Sequence, residues 1–192
     1  MASTAAPYGL RPVKLVGNRP FNNGFSQYSI ASAYGTTIFQ GDVVKLMTGG
    51  VIEKATNTND APTNGILGVF MGVSYTDSDM GFVQKNMWTA DTVASDAMAY
   101  VVDDPDVIYE IQADSTLTIA AIGAKGELVQ TAGNTSTGIS KVALNATVNT
   151  TATFPLSVVG YVDKVGFSEI GDAFTDMLVR INLPTNRHET GI

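Results

Sequence analysis

The chain is expected to be mainly β, an antiparallel β-barrel or β-sandwich with an extended N-terminal arm. Three observations carry that expectation. The stretch Gly41-Asp42-Val43-Val44-Lys45-Leu46-Met47-Thr48-Gly49-Gly50-Val51-Ile52-Glu53-Lys54-Ala55 places two apolar runs on either side of a Thr-Gly-Gly turn, the pattern of a β-hairpin. A glycine-spaced run, Gly65-Ile66-Leu67-Gly68-Val69-Phe70-Met71-Gly72, follows as a third strand. Elsewhere apolar residues recur with period two, and 19 glycines supply the tight turns that short strands need.

From the N-terminus, residues 1–35 read as an arm. Pro7, Pro12 and Pro20 fix φ and remove donors, and Gly9, Gly17 and Gly24 loosen the chain. Only residues 11–16 and 27–30 suit short strands there. Arg11, Lys14 and Arg19 make the arm the most basic part of the chain. It could be tied to its own domain as strands, or lie across a neighbouring subunit. In the second case Tyr8, Leu10, Arg11, Val13, Lys14, Arg19 and Phe21 are the candidate contacts.

Residues 36–184 read as the core domain. In residues 106–114, Val107, Tyr109, Ile111 and Ala113 share one face, while Glu110 and Gln112 share the other. Residues 116–120 alternate too, as do residues 177–183, with Val179 and Ile181 inward. Residues 97–102 and 154–162 are apolar on both faces, which suits central or interface strands. Short helices are possible at residues 90–98 and 168–174. Residues 131–140 read as an exposed loop, and residues 145–153 as a loop or a solvated edge strand. Residues 185–192 form a polar tail.

Composition narrows the chemistry. The formal charge is −7, with Lys and Arg unclustered, so phosphate-backbone binding is not expected. There is no cysteine, which removes disulfide and thiolate chemistry. His188 is the only histidine and lies in the tail, so neither a histidine-based nucleophile nor a multi-histidine metal site is expected. Gly123-Ala124-Lys125-Gly126 lacks the frame of a phosphate-binding loop and reads as a hairpin turn. No basic-then-apolar leader and no membrane-length apolar run is visible. The expectation is a non-enzyme without cofactor, nucleic acid or membrane partner.

Two polar groups and one aromatic stand out. Asp103-Asp104-Pro105-Asp106 lies between two apolar runs and reads as a tight turn, with a Ca²⁺ site as the alternative use of three carboxylates. Asp77 and Asp79 read as turn residues as well. Trp88, the only tryptophan, suits a core or subunit interface, with an exposed binding anchor as the alternative. Asn-x-Ser/Thr sequons at Asn134, Asn145 and Asn149 are attributed to the high Asn and Thr content.

Gly41-Asp42-Val43-Val44, the run from Gly65 to Gly72, and Ala99-Tyr100-Val101-Val102-Asp103-Asp104-Pro105-Asp106 together resemble the capsid decoration, or cement, proteins of tailed bacteriophages. The resemblance spans residues 8–130. It implies a β-rich virion protein on the capsid exterior, made in the bacterial host cytoplasm. Its partner would be the major capsid protein, and it would commonly be a homotrimer. It brings no catalytic residues. Two rivals stay open: a carbohydrate-binding or host-attachment module, and a trimeric β enzyme of nucleotide metabolism, whose substrate motifs are not found.

Overall fold

The computed structural model describes residues 4–55, 65–164, 167–182 and 184–185. Strands dominate, and the fold is a sandwich-like stack of antiparallel sheets rather than a closed barrel. In chain order the strands are β1 (Arg11–Leu15), β2 (Arg19–Pro20), β3 (Ser26–Ser29), β4 (Ile38–Phe39), β5 (Val43–Leu46), β6 (Ile52–Lys54), β7 (Gly68–Asp77) and β8 (Gly81–Lys85). They continue as β9 (Met87–Trp88), β10 (Met98–Val102), β11 (Val107–Gln112), β12 (Lys125–Gly126), β13 (Leu128–Val129), β14 (Ala143–Leu144), β15 (Leu156–Tyr161) and β16 (Asp176–Ile181). One sheet has the order β12-β15-β16-β11-β1-β2. The other has β3-β10-β7-β5-β6, with β8 also paired to β7. β4–β9 and β13–β14 are two small satellite pairs.

The β5–β6 hairpin and its third strand form as the sequence indicates. Val44 faces Lys54, Leu46 faces Ile52, and Val43 faces Val69 of β7. The shape of this corner comes from Asp42. Its carboxylate is fully buried and accepts from the Phe39 amide at 2.9 Å and the Ser140 hydroxyl at 2.6 Å. Lys54 pairs with it at 2.8 Å. The Gly-Asp-Val-Val motif is therefore a buried brace between β5, β6 and the segment before β14.

Two cores follow from the sheets. Val43, Val69, Val102, Tyr109, Ile111, Val158 and Val179 fill the space between them. Ile38, Val44, Phe70, Val73, Trp88 and Val101 form a second core on the other face of the β10-β7-β5 sheet. A β-bulge lets one strand serve both. Tyr100 faces Gly72 and Val101 faces Phe70, which leaves Met71 as the extra residue. Before it, odd-numbered Val69 packs between the sheets; after it, odd-numbered Val73 and Tyr75 pack in the second core. One inserted residue reverses the facing of every residue beyond it.

Several expectations change. Residues 4–35 do not lie apart from their own chain as an arm. β1 pairs with β11, β2 with β1, and β3 with β10, so this segment supplies strands to both sheets of its own chain. Residues 90–98 and 168–174 form no helix, Met98 already opening β10, because the backbone turns left-handed at Asp91 (φ 62°), Gly171 (φ 91°) and Phe174 (φ 59°). Residues 116–120 do not form a strand; a 3₁₀ turn at Ile119–Ala121 replaces it. Gly123 and Ala124 carry that turn into β12 and are not a hairpin loop. Residues 103–106 do form a turn, but it crosses from one sheet to the other. Residues 186–192, with His188, lie outside the described residues.

Candidate functional site

Of the proposed contact residues, Leu10 and Trp88 are buried inside the chain, at 1% and 0% exposure. Neither can present its side chain to a partner. Trp88 packs edge-on against Tyr75 with ring centroids 5.7 Å apart, and its indole N–H donates to the Tyr34 carbonyl at 3.2 Å. That hydrogen bond is what a buried indole requires, so this tryptophan is a core residue. Arg11, Val13 and Arg19 are exposed, while Tyr8, Lys14 and Phe21 are half-buried. Val13 is pushed outward because it is the extra residue of a bulge: Pro12 faces Tyr109 and Lys14 faces Ile108. Phe21 packs against the inter-sheet core, and Lys14 Nζ donates to Asn18 Oδ1 at 3.2 Å.

Tyr8 and Arg11 belong to a polar clasp on the outer face of β11 and β16. The Tyr8 hydroxyl lies 3.1 Å from both Glu110 Oε1 and Asp176 Oδ1 and donates between them. Arg11 reaches Glu110 at 3.3 Å and stacks 4.7 Å from the Tyr8 ring centre. Lys164 hydrogen-bonds Glu110 and lies 4.0 Å from Asp176. Gln112 completes the clasp by accepting from the Ala6 amide at 2.7 Å and donating to the Thr4 carbonyl at 3.2 Å. Period-two reading set Glu110 and Gln112 on a solvent face. Residues 4–8 cover them instead, leaving each about 7% exposed.

The clasp has a pH signature. Burial, reinforced by the Glu110 charge, raises the Asp176 carboxyl above its ordinary value, although Tyr8, Lys164 and Arg11 oppose the shift. Burial and the two carboxylates push the Tyr8 phenol up as well. An acid raised on folding contributes stability that is complete below its unfolded value, about 3.9 for Asp, and is lost as pH rises through the folded value. Asp176→Asn fixes the site in the neutral form. Urea denaturation across pH is therefore expected to show the variant gaining on the wild type as pH rises above about 4. A difference that is flat, or that moves toward the wild type, refutes this. Asp77 and Asp96 shift the other way, lowered mainly by hydrogen bonds from the Asp79 amide and the Thr76 hydroxyl respectively. They lose stability as pH falls, but in both proteins alike, so they cancel in the comparison.

The acidic turn divides its carboxylates. Asp103 accepts from Ser26 at 2.9 Å and Tyr28 at 2.7 Å, which fastens β3 to the end of β10. Burial and Asp103 raise the Tyr28 phenol to about 12. Asp104 accepts from the Asp106 amide at 2.8 Å, a turn-capping contact. Among the described residues no three acids or histidines group as a metal site. The three sequon asparagines have local work: Asn134, Asn145 and Asn149 accept from the amides of Ser136, Thr147 and Thr150.

Large apolar side chains are exposed at several places, including Ile119 and Phe167, and one such place that sequence reading missed is the β7–β8 hairpin. The last β10 rung on β7 is Ser74, whereas β7 and β8 remain paired out to Asp77 and Gly81. The tip thus runs past the sheet. Met80 and Phe82 stand 63% and 73% exposed there. Asp96 binds the Thr76 hydroxyl at 2.6 Å and its amide at 3.1 Å, bringing the loop that carries Val93, 78% exposed, to the same end. Asp77 and Asp79 precede Met80 in the hairpin and Asp96 follows Val93 in its loop; Asp77 also caps the turn by accepting from the Asp79 and Met80 amides. The available signal was Met80-Gly81-Phe82, apolar residues where a turn is normally polar.

Among the described residues no helix is long and apolar enough to cross a membrane. Comparison with protein-family models, curated proteins and solved structures finds no match to this chain.

Proposed function

We propose that this chain is a structural protein of a tailed-bacteriophage virion that docks on the outside of the capsid and braces contacts between major capsid protein subunits. The observation that carries the reading is the apolar end formed by Met80, Phe82 and Val93, held on a hairpin and a loop fastened to the sheets. Large apolar side chains presented together, with a polar rim, fit a protein contact. The rim here is acidic, so the complementary surface on the shell is apolar and ringed by Lys or Arg. The body behind it suits bracing: two sheets share a filled core, Asp42 braces the β5–β6 corner, and the Tyr8 clasp ties the N-terminal segment to β11 and β16. Three copies bound as one unit would add multivalency to each weak contact.

The test is direct. Heads assembled without this protein are mixed with it, pelleted and heated. The expected result is saturable co-sedimentation and a higher temperature of genome or shell release. Phe82→Glu, at an exposed position, is expected to fold normally and bind about tenfold more weakly, as loss of an interface anchor would give. Failure of the wild-type protein to co-sediment at saturating concentration overturns the proposal.

A further inference from the structure

A trough runs from the Tyr8 clasp to β8. Two depressions, about 280 Å³ and about 510 Å³, share Gln40 and Met71 in their linings and so lie side by side. The first is lined by aliphatic Leu10, Met71 and Ile139 with Tyr8, the second by Met71 with Phe25 and Tyr100, and Gly41 and Gly72 add no side chain to the lining. Arg11 lines one depression and Lys85 the other, the Lys85 ammonium also lying 5.4 Å from the Tyr75 ring centre, and no carboxylate is among the described residues that line them. In a chain with 18 acidic and 11 basic side chains, that makes the trough a cationic exception. Arg11 keeps capacity for a ligand: its side chain is 57% exposed and its bond to Glu110 uses one Nη. Gln40 and Gln84 line the trough with side-chain amides that make no hydrogen bond among the described residues.

We infer that this trough binds an extended, acidic segment of the shell protein. The features correspond one by one. Apolar lining positions take alternate side chains of an extended chain, primary amides match its peptide groups, and the two cations meet its carboxylates. Tyr8, Phe25 and Tyr100 also line the trough, so the two cations, and not the apolar lining, favour an acidic peptide over a neutral glycan. The inference rests on the capsid-docking proposal and adds a second contact beside the apolar hairpin, since Gln84 and Lys85 belong to the same strand as Phe82.

The test uses the full chain on heads. A benzophenone amino acid replaces Ile139 in one sample and Phe82 in another, and cross-linked peptides are identified by mass spectrometry. The expected result is that the Ile139 probe labels a shell-protein segment rich in Asp and Glu. In parallel, Lys85→Glu and Gln84→Glu, both on β8, are expected to keep the wild-type melting curve. They should weaken head binding about tenfold at low salt, with the gap narrowing as salt screens the charges. If the Phe82 probe labels the shell but the Ile139 probe does not, the trough inference fails and the docking proposal stands. If neither labels the shell and the wild type does not bind heads, both fail. Labelling of a basic segment, of a second copy, or of residues 56–64 or 186–192 of the same chain also overturns it. So does protection of the trough by neutral oligosaccharides, which would make it a glycan site.

Discussion

A chain lacking residues 2–20 is expected to lose its cooperative fold, or to retain it with severely reduced stability. Those residues include β1, which separates β11 from solvent. Leu10 sits in the inter-sheet core at 1% exposure, and its burial contributes about 1.5–3 kcal/mol. The Gly9 amide donates to the Val142 carbonyl at 3.1 Å and the Leu10 amide to the Gly41 carbonyl at 2.9 Å. Each such hydrogen bond contributes about 0.5–1.5 kcal/mol net. The crossing is close: Gly9 has φ 75°, and a Cβ there would lie 2.5 Å from the Gly41 carbonyl oxygen. Deletion also strips Tyr8 and Arg11 from Glu110, leaving a carboxylate beside a newly opened strand edge. Against a total stability of about 5–15 kcal/mol, these losses together are most of what a domain has. Urea denaturation followed by circular dichroism measures the effect. A truncated chain that unfolds at the same urea midpoint as the full chain would show that the first twenty residues are dispensable.

The second large effect is expected at Asp42. Asp42→Ala removes a fully buried carboxylate and strands three partners at once: Lys54 Nζ, the Phe39 amide and the Ser140 hydroxyl. The Lys54 side chain is only 11% exposed, so water cannot readily replace the lost anion. Breaking one side of a buried pair costs about 3–5 kcal/mol, because the remaining charge keeps its desolvation penalty. Replacing Lys54 by Met in the same chain removes that stranded charge, and the double variant is expected to recover part of the loss. Equilibrium denaturation of the two single variants and the double variant tests this. A cost for Asp42→Ala below about 1 kcal/mol, the range of an exposed pair, refutes the buried brace.

Much of the fold was written locally. Alternation at Val107, Tyr109 and Ile111 marks a strand because side chains alternate across a pleat, and these three residues do face the core. The hairpin from Gly41 to Ala55 is equally local, since a Thr-Gly-Gly turn between two apolar runs leaves little other choice. The sequence also placed the turn at residues 103–106, where Asp-Pro and short carboxylates satisfy nearby amides. It favoured a core or subunit-interface position for Trp88 without separating the two or naming its partners, Tyr75 and the Tyr34 carbonyl.

By itself, then, the sequence determined the fold class, the main strands and the turns between them, because period, turn chemistry and apolar content are properties of neighbouring residues. Only the tertiary structure decided what depends on residues far apart. The N-terminal segment looked like an arm because its prolines and glycines weaken local preference, yet pairing with β11 and β10 supplies its hydrogen bonds from about a hundred and about seventy positions away. Residues 116–120 alternate like a strand but find no neighbouring strand to complete a ladder, and they turn instead. The bulge at Met71 reverses the facing of Val73 and Tyr75, a change set by the register of β10 and invisible in the alternation of β7 alone. Glu110, polar and apparently outward, became the centre of a clasp because Tyr8, Arg11 and Lys164 arrive from three separate parts of the chain. The surfaces proposed for docking arise in the same way. Exposure of Phe82 and the cationic trough between Arg11 and Lys85 depend on which elements stop short and which lie side by side, and that is fixed by packing rather than by any run of residues.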